Sequence, residues 1–293
     1  MPSESVFETI LSPAQLQTLL AAGTDVLLLD CEFDLTDPER GRALYREGHL
    51  PGAHYVSLDA DLSGPATGTN GRHPLPEREL FAATMRMLGL KTGQQVVAYD
   101  GSGGIYAARL WWMLRWLGHA PVAVLDGGRQ AWVDAGLPLE SGDAPALPIG
   151  DFKAGPSLVA EPVTVADMEA NLVSDDWQVI DARDAARFGG AAHALDTVSG
   201  HIPGATNRSC RDNLDAQGRF RDPVDLHAAF TPALAGRSPA EAVSQCGSGV
   251  TACHNILAME LAGLKGARLY PGSWSEWTAD PARPIARAGA EEA

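Results

Sequence analysis

The 293 residues are 45% apolar, enough to bury a sizeable core, and the length favours about two domains. A formal net charge of -15 excludes a general nucleic-acid surface, since backbone phosphates would be repelled almost everywhere, and an anionic substrate needs a locally positive pocket. The opening stretch, MPSESVFETILSPAQL, lacks the basic and continuous apolar segments of a leader, and no run approaches the roughly 18 apolar residues of a membrane span, so a soluble, cytoplasmic protein is expected.

Read in chain order, short apolar runs alternate with amphipathic stretches. VLLLD ends at Asp30, QVVAYD at Asp100, and VAVLDG follows; the second half repeats the scheme with WQVID, AVSQC and ARLYPG. Between them, AARLWWMLRWLG and VTACHNILAMELAG carry helical periodicity. This alternation predicts parallel sheets flanked by helices, an α/β fold. Trp111, Trp112 and Trp116 fall at helical spacing and are expected to pack in a core or a domain interface. Four cysteines, Cys31, Cys210, Cys246 and Cys253, are scattered without a CxxC pair, which argues for reduced thiols and against a disulfide framework or a zinc site. No metal or organic cofactor is implied.

The chain is written twice. Asp30 of VLLLDCEFD matches Asp181 of WQVIDARDAARF, GHLPGA (48–53) matches GHIPGA (200–205), and Trp132 of GGRQAW matches Trp277 of GSWSEW. Asp100, leading the loop before the first long helix, matches Cys246 in CGSGVT. Four landmarks in one order at nearly constant offset imply homologous tandem domains, taken as 1–140 and 159–293, with the Pro/Gly/Ala-rich stretch 141–158 joining them.

Cys246 stands where a strand ends, at the edge where parallel sheets bind ligands. Gly247, Ser248 and Gly249 let the backbone curl around it as an anion nest, and the helix starting near Thr251 adds its positive end. Such a setting stabilises a thiolate nucleophile or the outer sulfur of a persulfide. Asp100 cannot act as a sulfur nucleophile, so the first domain reads as degenerate and the second as active. Cys253, two helical turns on, is expected to be a packed helix residue.

These motifs, with GRHPLP at 71–76 and the GHxPGA and GSWSEW segments, make the chain resemble the tandem-domain rhodanese family of sulfurtransferases, most closely its 3-mercaptopyruvate class. The resemblance implies a catalytic Cys246, a loop Gly247, Gly249, Val250 and Thr251 that holds the persulfide, and a proton relay of Ser248, His73 and Asp61. It also implies that Arg187 binds the donor carboxylate; an ordinary ion pair of Arg187 with Asp181 or Asp184 is the alternative. A second arginine, about nine residues later in the family, is missing from GGAAHALDTVS (189–199), leaving His193, Arg208 or Arg211 to stand in. Thiosulfate therefore remains the alternative donor. The acceptor is expected to be cyanide, a small thiol or thioredoxin. A related phosphatase would need arginine six positions after the cysteine, where Ala252 stands. A non-catalytic binding module of the same fold is the remaining alternative.

Overall fold

VLLLD and QVVAY are apolar without alternation, the pattern of strands covered on both faces, and they pair as the centre of a parallel sheet. The computed structural model describes residues 6–287, so the ends of the two expected domain ranges lie outside the described residues. The chain forms two compact units. The first holds residues up to Ser63, Pro76–Leu158 and Ala216–Phe220; the second holds Gly64–Leu75, Val159–Asp215 and the chain from Arg221. The GRHPLP loop, up to Leu75, thus folds with the second unit.

In the first unit, β1 (Ile10–Leu11), β2 (Val26–Asp30), β3 (His54–Tyr55), β4 (Gln95–Tyr99) and β5 (Val122–Leu125) form one sheet in the order β1-β5-β4-β2-β3, every pair parallel. A capping box of Ser12 and Gln15, with Pro13 in the first turn, starts the helix Pro13–Ala21. The helix Ala107–Trp116 is buried along its whole length, so the three tryptophans do pack inside.

In the second unit, β6 (Gln178–Asp181), β7 (Thr206–Asn207), β8 (Ala242–Gln245) and β9 (Arg268–Leu269) form a parallel sheet in the order β7-β6-β8-β9. Val179, Ile202, Val243, Tyr270, Trp274 and Trp277 share its core. The two halves keep the same register: Asp30 lies opposite Tyr99, one residue before Asp100, and Asp181 lies opposite Gln245, one residue before Cys246. Each GHxPGA motif is the same tight turn, closed by Ala53 N to Leu50 O at 2.9 Å and by Ala205 N to Ile202 O at 3.1 Å, with Gly52 and Gly204 at φ 77° and 78°. Proline followed by a glycine at positive φ is what a type II turn requires. Among the described residues no helix is long and apolar enough to cross a membrane, and all four cysteines are buried free thiols.

Candidate active site

β8 delivers Cys246 to the end of the second sheet, and the helix Thr251–Leu261 begins five residues later. The loop between them turns at Gly249, whose φ is 77° and whose missing Cβ would stand 2.2 Å from the Pro271 carbonyl oxygen. Only glycine fits there. The Gly249 N–H points at Cys246 Sγ, 3.2 Å away, and the thiol is 2% exposed. The sulfur thus sits among inward-facing backbone at the N-terminal end of a helix.

The GSWSEW segment braces this loop. Ser273, a buried residue at φ 53°, accepts the Cys246 N–H on Oγ at 3.1 Å and donates to Tyr270 O at 2.8 Å. The Trp274 and Ser275 N–H groups donate to the carbonyls of Cys246 and Gly247, both at 3.0 Å. Ser275 Oγ also accepts the Arg72 N–H at 3.0 Å, so one short helix, Ser273–Trp277, holds two loops far apart in sequence.

Two of the expected relay residues meet. Ser248 Oγ lies 2.8 Å from His73 Nδ1, and both side chains are buried. Asp61 stands in the first unit, where its carboxylate accepts the Ser57 N–H at 2.8 Å and burial raises its pKa. Val250 is buried, and Thr251 opens the helix with its side chain hydrogen-bonded to Cys210, whose thiol burial pushes up to about 12. Cys253 is fully buried and its Sγ donates to Gly249 O at 3.4 Å, as a packed helix residue does.

Arg187 is paired with neither Asp181 nor Asp184 through its side chain. Its Nε and Nη2 donate to the two carboxylate oxygens of Asp196 at 2.8 and 2.7 Å, while Asp184 caps the Arg187 backbone N–H and Asp181 is taken by Arg183. Burial disfavours the Arg187 charge, but the Asp196 hydrogen bonds outweigh it and hold its pKa above the ordinary value. Of the three stand-ins for the second arginine, Arg208 is bound to Asp212, Arg211 is exposed, and His193 accepts the Leu195 N–H on an exposed turn. A further cation, Arg72, the residue before His73, lies beside the Cys246 loop.

Arg72 and Arg187 converge on Gly247. A Cβ there would lie 2.9 Å from Arg72 Nη2 and 3.2 Å from Arg187 Nη2. The space left by the absent side chain lies next to Cys246 and is bordered by two guanidinium groups, a setting whose charge and donors suit an anion. Burial lowers the Arg72 pKa, against the opposing charges of Asp196 and Cys246. The signal for Arg72 was already printed in GRHPLP, but in sequence it lies 174 positions from the cysteine, beyond the reach of any local spacing rule.

A buried glycine-rich loop led by Cys246, a paired hydroxyl and imidazole, and two arginines over one glycine thus come together in the second unit. The family model for the rhodanese-like domain matches residues 12–135 and again 164–280. The chain belongs to the rhodanese family. A Pseudomonas aeruginosa protein named "Probable 3-mercaptopyruvate sulfurtransferase" is 47% identical over 266 residues, 89% of this chain and 92% of that one. The chicken thiosulfate sulfurtransferase is 34% identical, covering 87% of each chain. The structure of 3-mercaptopyruvate sulfurtransferase from Leishmania major superposes with a TM-score of 0.82 at 30% identity, over 92% of this chain and 74% of that one. This rhodanese-family chain is thus a sulfurtransferase, with a sulfur donor and a sulfur acceptor.

Proposed function

We propose that the donor is 3-mercaptopyruvate and that Cys246 is the residue that carries the sulfur. The thiolate attacks the donor sulfur, the carbon–sulfur bond breaks, and its electron pair leaves as the enolate of pyruvate. The proton from the donor thiol ends on the enolate carbon, giving pyruvate and Cys246–S–S⁻, so no outside acid is consumed. Ser248 and His73 carry that proton, and their 2.8 Å contact beside the nucleophile is the observation on which the donor assignment rests. Thiosulfate would leave as sulfite and needs no such relay. Asp61 joins the relay as its third member by its motif alone.

Arg72 and Arg187 hold the donor carboxylate, and the N–H groups of Gly247 to Thr251 hold the persulfide. A small thiol, thioredoxin or cyanide then attacks the outer sulfur and releases the thiolate. The first unit, with Asp100 at the cysteine position, has no thiol there to carry sulfur of its own. Four cysteines, all buried free thiols, support action in a reducing compartment such as the cytoplasm.

Thiosulfate is the second reading, favoured by the two guanidinium groups that a dianion could engage. Intact-protein mass spectrometry after brief exposure to either donor separates them. A gain of one sulfur mainly from mercaptopyruvate, absent in Cys246→Ser, is the expected result; loading by thiosulfate alone reverses the assignment of the donor.

A further inference from the structure

The stretch 189–199, which looked deficient because it lacks an arginine, does two things in the fold. Its turn at 193–196 is closed by the Asp196 N–H to His193 O at 3.0 Å. From that turn the Leu195 carbonyl accepts Arg72 Nη1 at 2.7 Å, and the Asp196 carboxylate takes Arg187 through two hydrogen bonds. One turn therefore grips both guanidinium groups, leaving each Nη2 facing the position over Gly247. Asp196 also lies 3.5 Å from Arg183 Nη1, and its side chain is only 3% exposed. Burial works against its charge, yet the bonds from Arg187 and the charges of Arg187, Arg183 and Arg72 keep the carboxyl below its usual range, so it is an anion at neutral pH.

The charges around the anion position can be weighed. Asp181 neutralises Arg183, Asp196 neutralises Arg187, and Arg72 gives its Nη1 to a backbone carbonyl, that of Leu195. With the exposed Asp184 screened by solvent, the inner charges leave the position with about one net positive charge, which a monoanion matches and a dianion exceeds while facing the thiolate as well.

We infer that Asp196 is a positioning and donor-selecting residue: its carboxylate fixes Arg187 and trims the pocket to the charge of a monoanionic donor. The inference rests on the proposed sulfur transfer only for the identity of the donor. Removing the carboxylate charge strengthens the field felt by every anion, but a dianion gains twice as much as a monoanion, while the loosening of Arg187 penalises both alike.

The test uses the full chain and two variants, Asp196→Asn and Asp196→Glu. In Asp196→Asn the ratio of kcat/KM for thiosulfate to that for 3-mercaptopyruvate rises by about tenfold, the worth of one unscreened charge at this range. In Asp196→Glu, which keeps the charge and displaces it by one methylene, both donors lose activity and the ratio stays within about twofold. A purely structural residue would lower both donors in proportion in either variant, and that outcome overturns the inference. So does a shifted ratio in Asp196→Glu, which remains decisive if Asp196→Asn does not fold. A second readout needs no turnover: the rate of Cys246 alkylation by anionic iodoacetate relative to neutral iodoacetamide should rise several-fold in Asp196→Asn. If that ratio rises while mercaptopyruvate fails to load the wild type, the donor assignment falls and the role of Asp196 stands; if mercaptopyruvate loads and the alkylation ratio does not move, the reverse holds.

Discussion

The loops that follow β4 and β8 have the same register and opposite contents. After β8 the backbone closes on a sulfur, with the Gly249 N–H at 3.2 Å and room over Gly247 for an anion to arrive. After β4 the anion is built in: Asp100 Oδ1 accepts the N–H groups of Ser102 and Gly104, both at 2.8 Å, and Oδ2 accepts those of Tyr106 and Ala107 at 2.8 and 3.0 Å. The carboxylate is fully buried in its nest. Four donors that would otherwise be orphaned are satisfied by one side chain, so the first loop has exchanged reactivity for a closed hydrogen-bond account. The lesson is that an anion nest is a neutral scaffold, and one residue at its mouth decides between a site and a rivet.

The largest effect that would break this contrast comes from the sulfur itself. Cys246→Ser is expected to lower sulfur transfer by about 10³-fold or more with any donor, and persulfide formation in the mass spectrum should vanish. Sharper discrimination comes from the relay. Ser248→Ala should cost about 10²-fold in kcat with 3-mercaptopyruvate and much less with thiosulfate, read as a split in kcat between the two donors. An equal loss with both would assign Ser248 to loop structure.

On the other side of the comparison, Asp100→Asn turns an amide N–H₂ toward backbone donors. It is expected to lower unfolding free energy by about 2–3 kcal/mol, measured by denaturant titration, with kcat unchanged within about twofold. The smallest effect concerns the carboxylates packed near that rivet. Burial, aided by Asp100, pushes Glu32 up to about 7, although Arg129 lies 3.4 Å away, and burial pushes Asp30 up to about 6. The folded state thus keeps protons that the unfolded chain gives up. Stability falls as pH rises from the ordinary carboxylate range through about 7, the pKa of folded Glu32. Glu32→Gln should flatten that fall, seen as a smaller drop in melting temperature between weakly acidic and neutral buffer.

Much of this was legible in the residues. Unbroken apolar runs announced buried parallel strands, the duplicated motifs announced two equivalent sheets, and glycines around Cys246 announced the nest. What could not be read locally was which charges meet. Local spacing offers Arg187 the acids three and six positions before it, while the fold gives it Asp196, nine positions on and around a turn without regular structure. Arg72 binds Leu195, 123 residues away, and no periodicity encodes such a pairing. Likewise the fourfold grip on Asp100 depends on backbone direction, which composition does not carry.

The bond from the Arg72 N–H to Ser275 Oγ joins residues 203 apart. A loop closure that long carries a larger entropy cost than any local contact, to be met before the contact returns anything. The first sheet has its strands in hand long before Ser275 is synthesised, and the chain made by then still lacks the hydroxyl that anchors Arg72. Arg72, on the proposed reading half of the donor clamp, is thus held by a contact that the earlier part of the chain cannot make by itself. A chain cut between Cys246 and Ser275 would bear the thiol without the hydroxyl that anchors the Arg72 backbone, so the proposed nucleophile and the selection of what it meets are completed by different stretches of the sequence.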